Sequence, residues 1–484
     1  MALPTLRIIG FLIGIFLITL AVSMAIPASI LVAYERTQDI NAFIWSSLIT
    51  FIAGLGLVIP GRPEQVHLRP RDMYLLTVSS WIVVGTFASL PFLFTQHLSF
   101  TDAYFESMSG ITATGATVLS GLDTMSPGIL MWRSLLHWLG GIGFIGMAVA
   151  ILPLLRIGGM RLFQTESSDR SEKVMPRSHM VAKYIVVVYV GFTILGTLAF
   201  WMAGMNGFDA VNHAMSAIAT GGFSTSDQSL AKWDQPAVHW VAVVVMILGS
   251  LPFMLYVSVL RGNRNALLRD QQVRGFLGML LGIWAVLGTW YWLTTELHWL
   301  DALRHVAVNT TSILTTTGFA LGDYSLWGNF SLMLFFYLGF VGGCSGSTAG
   351  GIKIFRFQVA YILLKANLYQ LIHPRAVIKQ QYNGHRLDED IVRSILTFSF
   401  FFTIIICVIA LGLSLMGLDW ITSLTGAAAT VSGVGPGLGE IIGPAGNFSS
   451  LPDGAKWLLT LGMLLGRLEI LTVLVLCTPY FWRH

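Results

Sequence analysis

The sequence predicts an all-α integral membrane protein: two N-terminal spans, then four fused repeats of span, re-entrant loop and span. Bulk composition, ten apolar runs and a glycine recurring in four similar loops predict it. Of 484 residues, 55% are hydrophobic and 11% charged, where soluble domains carry about 25% charged residues. The mean hydropathy is +0.72. A globular surface must meet water, so a soluble core cannot absorb this much apolar side chain. Fifty glycines are too many for plain spanning helices and need their own explanation.

A helical span needs roughly 20 apolar residues. The runs fall at about 8–32, 42–60, 74–95, 130–154, 181–204, 237–260, 275–295, 329–366 (interrupted), 394–416 and 455–479. The first is too long for a cleavable signal and is expected to stay as a span, although Ser23 and Ala25 weakly resemble a cut site. The longest polar connectors are 155–180 and 367–393. Lys and Arg set orientation. Arg62, Arg69 and Arg71 follow the second run, and Arg156, Arg161, Arg170, Lys173, Arg177 and Lys183 the fourth. Arg261, Arg264, Arg269 and Arg274 follow the sixth, and Lys353 to Arg393 supply the side of the eighth. That side is expected to be cytoplasmic, with both termini on it. Arg36, Arg133, Lys232, Arg304 and Lys456 fall opposite.

The net charge of +4 is small and scattered, which excludes a clustered nucleic-acid face. Cys344, Cys407 and Cys477 lie in apolar stretches at spacings that fit neither a metal site nor a disulfide framework, and are expected to be buried. Trp132, Trp138, Trp233, Trp240, Trp299, Trp327 and Trp457 read mainly as an interface belt. No converging His/Asp/Glu set or Ser/Lys pair suggests an enzyme.

Four segments fit neither a span nor a normal loop: 101–118, 208–224, 300–320 and 418–437. Each follows an odd-numbered run. Each carries an early aspartate, Asp102, Asp209, Asp301 or Asp419, read as the N-cap of a short helix. A hydroxyl residue then precedes a glycine: Thr114-Gly115, Thr220-Gly221, Thr317-Gly318 and Ser432-Gly433. Recurrence at a fixed interval signals internal duplication. Non-helical backbone at membrane depth cannot face lipid and must face protein or a water-filled path. Glycine lets successive carbonyls point one way, and carbonyls lining a path replace the hydration shell of a cation. Four such loops predict a central pore. The expected ion-facing residues are Thr112, Ala113, Thr114 and Gly115; Ile218, Ala219, Thr220 and Gly221; Thr315, Thr316, Thr317 and Gly318; and Thr430, Val431, Ser432 and Gly433. Glu106, His137, Asn212, His213, His305 and Asn309 are expected to hydrogen-bond these loops from behind.

With these four loops and two leading spans, the chain resembles the bacterial Trk type of the Trk/Ktr/HKT superfamily. The resemblance covers about 70–484 and implies four fused span–pore-loop–span repeats around a central pore. Their bounds are 70–160, 176–265, 272–370 and 390–484, after an N-terminal pair at 1–69. It implies potassium as the transported ion, the only metal at the filter, and no organic cofactor. It also implies a bacterial inner membrane, a homodimer and a cytosolic nucleotide-binding, TrkA-like ring. The basic loops 156–183 and 261–274 could dock that ring. None of the loops is TVGYG, so selection should be less strict than in a fourfold-identical filter. Gly115 in the first loop favours potassium, because serine there resembles the sodium-permeable plant branch.

The eighth run is broken by glycines and small polar residues over 339–351. The resemblance makes Gly342, Gly343, Cys344, Ser345, Gly346, Ser347, Thr348, Ala349, Gly350 and Gly351 an intramembrane gate. A close helix contact is the alternative; a phosphate loop lacks its GKS/GKT ending and its strand. Arg467 sits inside the last run and must face water or a partner. The resemblance places it at the pore axis as part of the gate. Its alternative is an ion pair with Glu469, Glu106 or Asp102. The rival function is a proton- or sodium-coupled carrier of a small solute, which needs an embedded acidic pair. Whether conduction is channel-like or symport stays open.

Overall fold

The computed structural model describes residues 3–61, 69–150, 175–376 and 378–483. Arg62 and most of the 156–183 segment lie outside the described residues, including Arg156, Arg161, Arg170 and Lys173. Among the described residues, six helices are long and apolar enough to cross a membrane: Leu6–Ala33, Asp39–Gly61, Arg71–Gln96, Met180–Ala203, Gln271–Thr294 and Glu389–Leu415. Helix Pro127–Ala150 fills the fourth apolar run. Asn329–Leu338 and Ile354–Ile372 flank the interruption in the eighth.

The sixth and tenth runs, read as continuous, are broken. Pro236–Ser250 meets Phe253–Leu260 at 90°, and Asp453–Arg467 meets Ile470–Leu476 at 112°. Pro252 causes the first break. It has no N–H to donate and forces Leu251 into an extended conformation. At the second, Glu469 takes φ 59°, outside the right-handed helix.

The four segments that fit no span each form a short helix: Phe100–Ile111, Gly207–Ile218, Trp299–Leu314 and Trp420–Ser432. Their caps differ from the expected aspartates in three cases. Ser99, Asn206 and His298 are the N-caps there. Asp102 and Asp209 instead sit in the first turn, where each binds its cap reciprocally. Ser99 Oγ donates to Asp102 Oδ2 at 2.9 Å, and Asn206 Nδ2 donates to Asp209 Oδ2 at 2.7 Å. These aspartates still meet the positive end of the helix dipole. Only the fourth aspartate is a cap: Asp419 accepts from the Thr422 amide at 3.0 Å.

Small residues bring the first two helices together. A Cβ on Gly14 would strike the Gly54 carbonyl, and one on Gly54 the Gly14 carbonyl. Apolar burial forms two large clusters. One gathers Phe105, Trp132, Phe402 and Leu459, joining the early helices to the last ones. The other gathers Tyr189, Phe253, Phe276 and Phe335 from the middle of the chain. Two sequence expectations fail here. Trp132 and Trp233 are buried core residues, not a belt. Cys407 and Cys477 lie on exposed helix faces, and only Cys344 is buried; an apolar membrane helix buries only one side against protein.

Candidate functional site

Each short helix ends in the same backbone signature. One residue takes a left-handed φ, and a positive-φ glycine follows two positions later. The pairs are Ala113 and Gly115, Thr220 and Gly222, Thr316 and Gly318, Gly433 and Gly435. This register differs from the hydroxyl–glycine alignment in two loops. Gly222, not Gly221, matches Gly115 and Gly318, and Gly435, not Gly433, completes the set. Ile218, Thr430 and Val431 therefore lie within their short helices. The helix end sets the register, and a Thr-Gly or Ser-Gly pair does not reveal where the helix ends.

The four glycines close a ring. A Cβ on Gly115 would strike the Gly221 carbonyl, one on Gly222 the Thr317 carbonyl, and one on Gly318 the Val434 carbonyl. One on Gly435 would stand 2.6 Å from the Thr114 carbonyl. Each loop's glycine thus faces the next loop's carbonyl, in cyclic order. The Cβ on Gly115 would also lie 3.6 Å from the Thr317 carbonyl, two loops on. Any side chain would fill the centre, which is why glycine is required. Thr112, Thr114, Ala219, Thr220, Thr315, Thr316, Thr317 and Ser432 are buried beside it. Gly221 occupies the threonine position and makes room for the His137 ring. A cavity of about 210 Å³ opens on one side, lined by Gly115, Gly222, Phe223, Gly318 and Pro436 among others.

Polar groups on the short helices hold the returning chain, among them Glu106, His213 and Asn309 of the expected set. Glu106 accepts from the Val118 amide at 3.0 Å, and Asn309 Oδ1 from the Leu321 amide at 2.9 Å. The His213 imidazole bonds Ser224 Oγ at 3.0 Å, and Thr425 Oγ1 accepts from the Leu438 amide at 3.0 Å. Asn212 is an exception, bonded to the Phe208 carbonyl in its own helix. His137 bonds Ser216 Oγ at 3.0 Å. Sequence reasoning missed Arg133, assigned to a loop-side charge but almost fully buried against Glu106 at 2.8 Å.

The interruption in the eighth run packs directly under the ring. Val341–Gly342 pairs in parallel with Ile352–Lys353, closing the loop at its base. Thr348 is its centre. Its hydroxyl donates to the Ile218 and Gly249 carbonyls at 3.0 and 2.9 Å. The Gly350 amide donates to Thr316 Oγ1 at 2.6 Å. The Cys344 amide donates to the Ser250 carbonyl at 2.9 Å, and the Ser345 amide to Gln272 Oε1 at 2.6 Å. Gly342 and Gly343 have no room for a Cβ, whereas Gly346 meets nothing within 4 Å. Ser347 and Ala349 are buried in the same loop, and Gly351 takes φ 66°.

Arg467 is buried and binds this loop. Its Nη1 donates to the Thr348 carbonyl at 2.8 Å, and its guanidinium lies 4.1 Å from the Phe144 ring centroid. The carboxylates offered as its ion-pair partners are engaged elsewhere. Glu469 binds Arg356 at 2.7 Å, Glu106 binds Arg133, and Asp102 binds Lys456 at 2.6 Å. Lys353 Nζ donates to the Ala349 carbonyl. Among the described residues, no group of three or more His, Cys, Asp or Glu could hold a metal ion.

The chain as a whole matches known proteins. A family model described as TrkH, cation transport protein, matches residues 39–482. The chain belongs to the TrkH family. Family membership makes it a multi-pass membrane transport protein and not an enzyme. It is 50% identical over 484 residues to the Trk system potassium uptake protein TrkI of Halomonas elongata, covering 99% of this chain and 97% of that protein. It is 35% identical to the Trk system potassium uptake protein TrkH of Escherichia coli K12, covering 99% of each. The crystal structure of the potassium transporter TrkH from Vibrio parahaemolyticus superposes with a TM-score of 0.91 at 35% identity. It covers 99% of this chain and 100% of that one.

Proposed function

We propose that the chain is a potassium uptake subunit of the bacterial inner membrane, with both termini cytoplasmic. The observation that carries this reading is the ring of Gly115, Gly222, Gly318 and Gly435, each facing the next loop's carbonyl. Backbone carbonyls there replace the water around a potassium ion. The four loops are the filters of four span–pore-loop–span repeats, following two additional N-terminal helices. Thr112 to Gly115, Ala219 to Gly222, Thr315 to Gly318 and Ser432 to Gly435 line it. The loop from Gly342 to Gly351, held by Arg467, is the gate beneath. The membrane potential drives entry by about 2.3 kcal/mol per charge per 100 mV.

The likeness to Trk system potassium uptake proteins supports potassium as the ion. A homodimer and a cytosolic nucleotide-binding ring are the partners we assign it. A coupled solute carrier needs free embedded carboxylates, but Glu106 and Glu469 are each bound by an arginine. Rubidium uptake into proteoliposomes under an imposed inside-negative potential tests the proposal. Uptake should follow the potential and resist excess sodium. Potential-independent uptake, or sodium competing equally with rubidium, would sink it.

A further inference from the structure

The wall between the first and second return loops contains an ion pair buried on both sides. Side-chain exposure is 1% for Arg133 and 0% for Glu106. The short-helix position of Glu106 is His213 in the second unit, Asn309 in the third and Gly426 in the fourth, counted from the left-handed residue. Arg133 lies seven residues before Gly140, whose Cβ would strike the Ile111 carbonyl. Gly249 and Gly466 face the Ile218 and Val431 carbonyls in the same way. The positions matching Arg133 are therefore Ala242 and Leu459. The pair belongs to this one corner of the ring.

Every arm of the guanidinium is used. Arg133 Nε donates to Glu106 Oε1 at 2.8 Å. Nη1 donates to the Ser224 carbonyl at 3.0 Å, and Nη2 to Thr117 Oγ1 at 3.2 Å. Its Cζ lies 4.0 Å from the centroid of Phe223, the residue after Gly222. Glu106 meanwhile accepts from Thr117 Oγ1 at 2.9 Å and from the Val118 amide at 3.0 Å. One planar cation thus bridges two loops that lie far apart in sequence, with a rigid fork of donors that an ammonium lacks. Arg133 also lines the cavity outside the ring. A positive charge there repels an entering cation unless a carboxylate offsets it.

We propose that Arg133 and Glu106 are a positioning pair that sets potassium affinity and selectivity. The pair fixes the spacing of the first two return loops and keeps the vestibule wall neutral. This rests on the cation-conducting reading above, and the test separates the two. Full-length protein in liposomes is assayed for rubidium uptake, its KM and maximal rate, and sodium competition. Absence of potassium-type selective flux in the unaltered protein overturns both readings. Given that flux, Glu106→Gln leaves Arg133 uncompensated and raises KM about tenfold. Arg133→Gln lowers rubidium-over-sodium selectivity without raising KM. The double variant brings KM back toward the unaltered value while selectivity stays low. Arg133→Lys keeps the charge, holds KM and still loses selectivity. Unchanged selectivity in the Arg133 variants, or a double variant with the KM of Glu106→Gln, overturns the pair's role. Where the Gln variants do not give monodisperse protein, Thr117→Val removes one linking hydroxyl and keeps both charges. It should cut selectivity about threefold; an unchanged ratio overturns the proposal.

Discussion

Gly433 and Gly435 stand two residues apart in one loop and meet different surroundings. Gly433 takes φ 70° and a Cβ there meets nothing within 4 Å. Ala113, Thr220 and Thr316 hold the matching positions with side chains present. Gly433→Ala should therefore cost about 1 kcal/mol of stability and leave rubidium-over-sodium selectivity intact. Gly435→Ala places a methyl group against the Thr114 carbonyl and should remove that selectivity or the flux itself. Parallel flux assays on the two variants check the register; equal effects would refute it. Arg467 is the other residue whose surroundings decide its role. Arg467→Ala removes a charge-assisted bond to the Thr348 carbonyl, worth about 1.5–3 kcal/mol, and one positive charge beneath the ring. Faster rubidium uptake is the expected result. Slower uptake in well-folded protein would count against a gate.

One helix contact recurs in three of the four units. Gly140, Gly249 and Gly466 each lie against the last carbonyls of the preceding short helix. They let the following helix pass within backbone distance of the short helix's end. A Cβ at Gly140 would overlap the Ile111 carbonyl, whereas one at Gly143 meets nothing within 4 Å. Gly140→Ala should lower the unfolding temperature in detergent markedly, in the manner of a strained core substitution costing about 1–3 kcal/mol. Gly143→Ala should leave it unchanged. Similar melting of the two would mean that the helices can slide apart. Among elements, the apolar runs, the short helices and the eighth-run break were legible from hydropathy and glycine clustering. The two further breaks were not. Pro252 was visible but stood among apolar residues, and Glu469 leaves helical φ at a place where its carboxylate binds the distant Arg356.

Across the whole molecule, the last unit returns to the first. Lys456 binds Asp102 at 2.6 Å, the Phe448 amide donates to the Thr117 carbonyl at 2.8 Å, and Trp457 stacks on Tyr104 at 5.1 Å. These contacts close the ring over a separation of more than 300 residues. On the other side of the loops, Arg356 and Glu469 form a second buried pair that joins the helix after the 342–351 loop to the final bend. Glu469→Gln leaves Arg356 without its charge partner and should cost about 3–5 kcal/mol. Thermal unfolding of detergent-purified protein reads this directly, and a shift no larger than for an exposed Glu389→Gln control would refute it.

Hydropathy, charge bias and recurring glycines by themselves determined a helical membrane protein with four similar loops. Those signals are local: an apolar run announces a span wherever it packs, and glycine announces unusual backbone. Only the tertiary structure decided which glycine of each loop faces a neighbour's carbonyl. That choice depends on where each helix ends and on which loop stands beside it. The partners of Arg467, Glu469, Glu106 and Arg133 were undecided for the same reason. A buried charge must find an opposite charge or a carbonyl, but the chain does not encode locally which distant segment brings it.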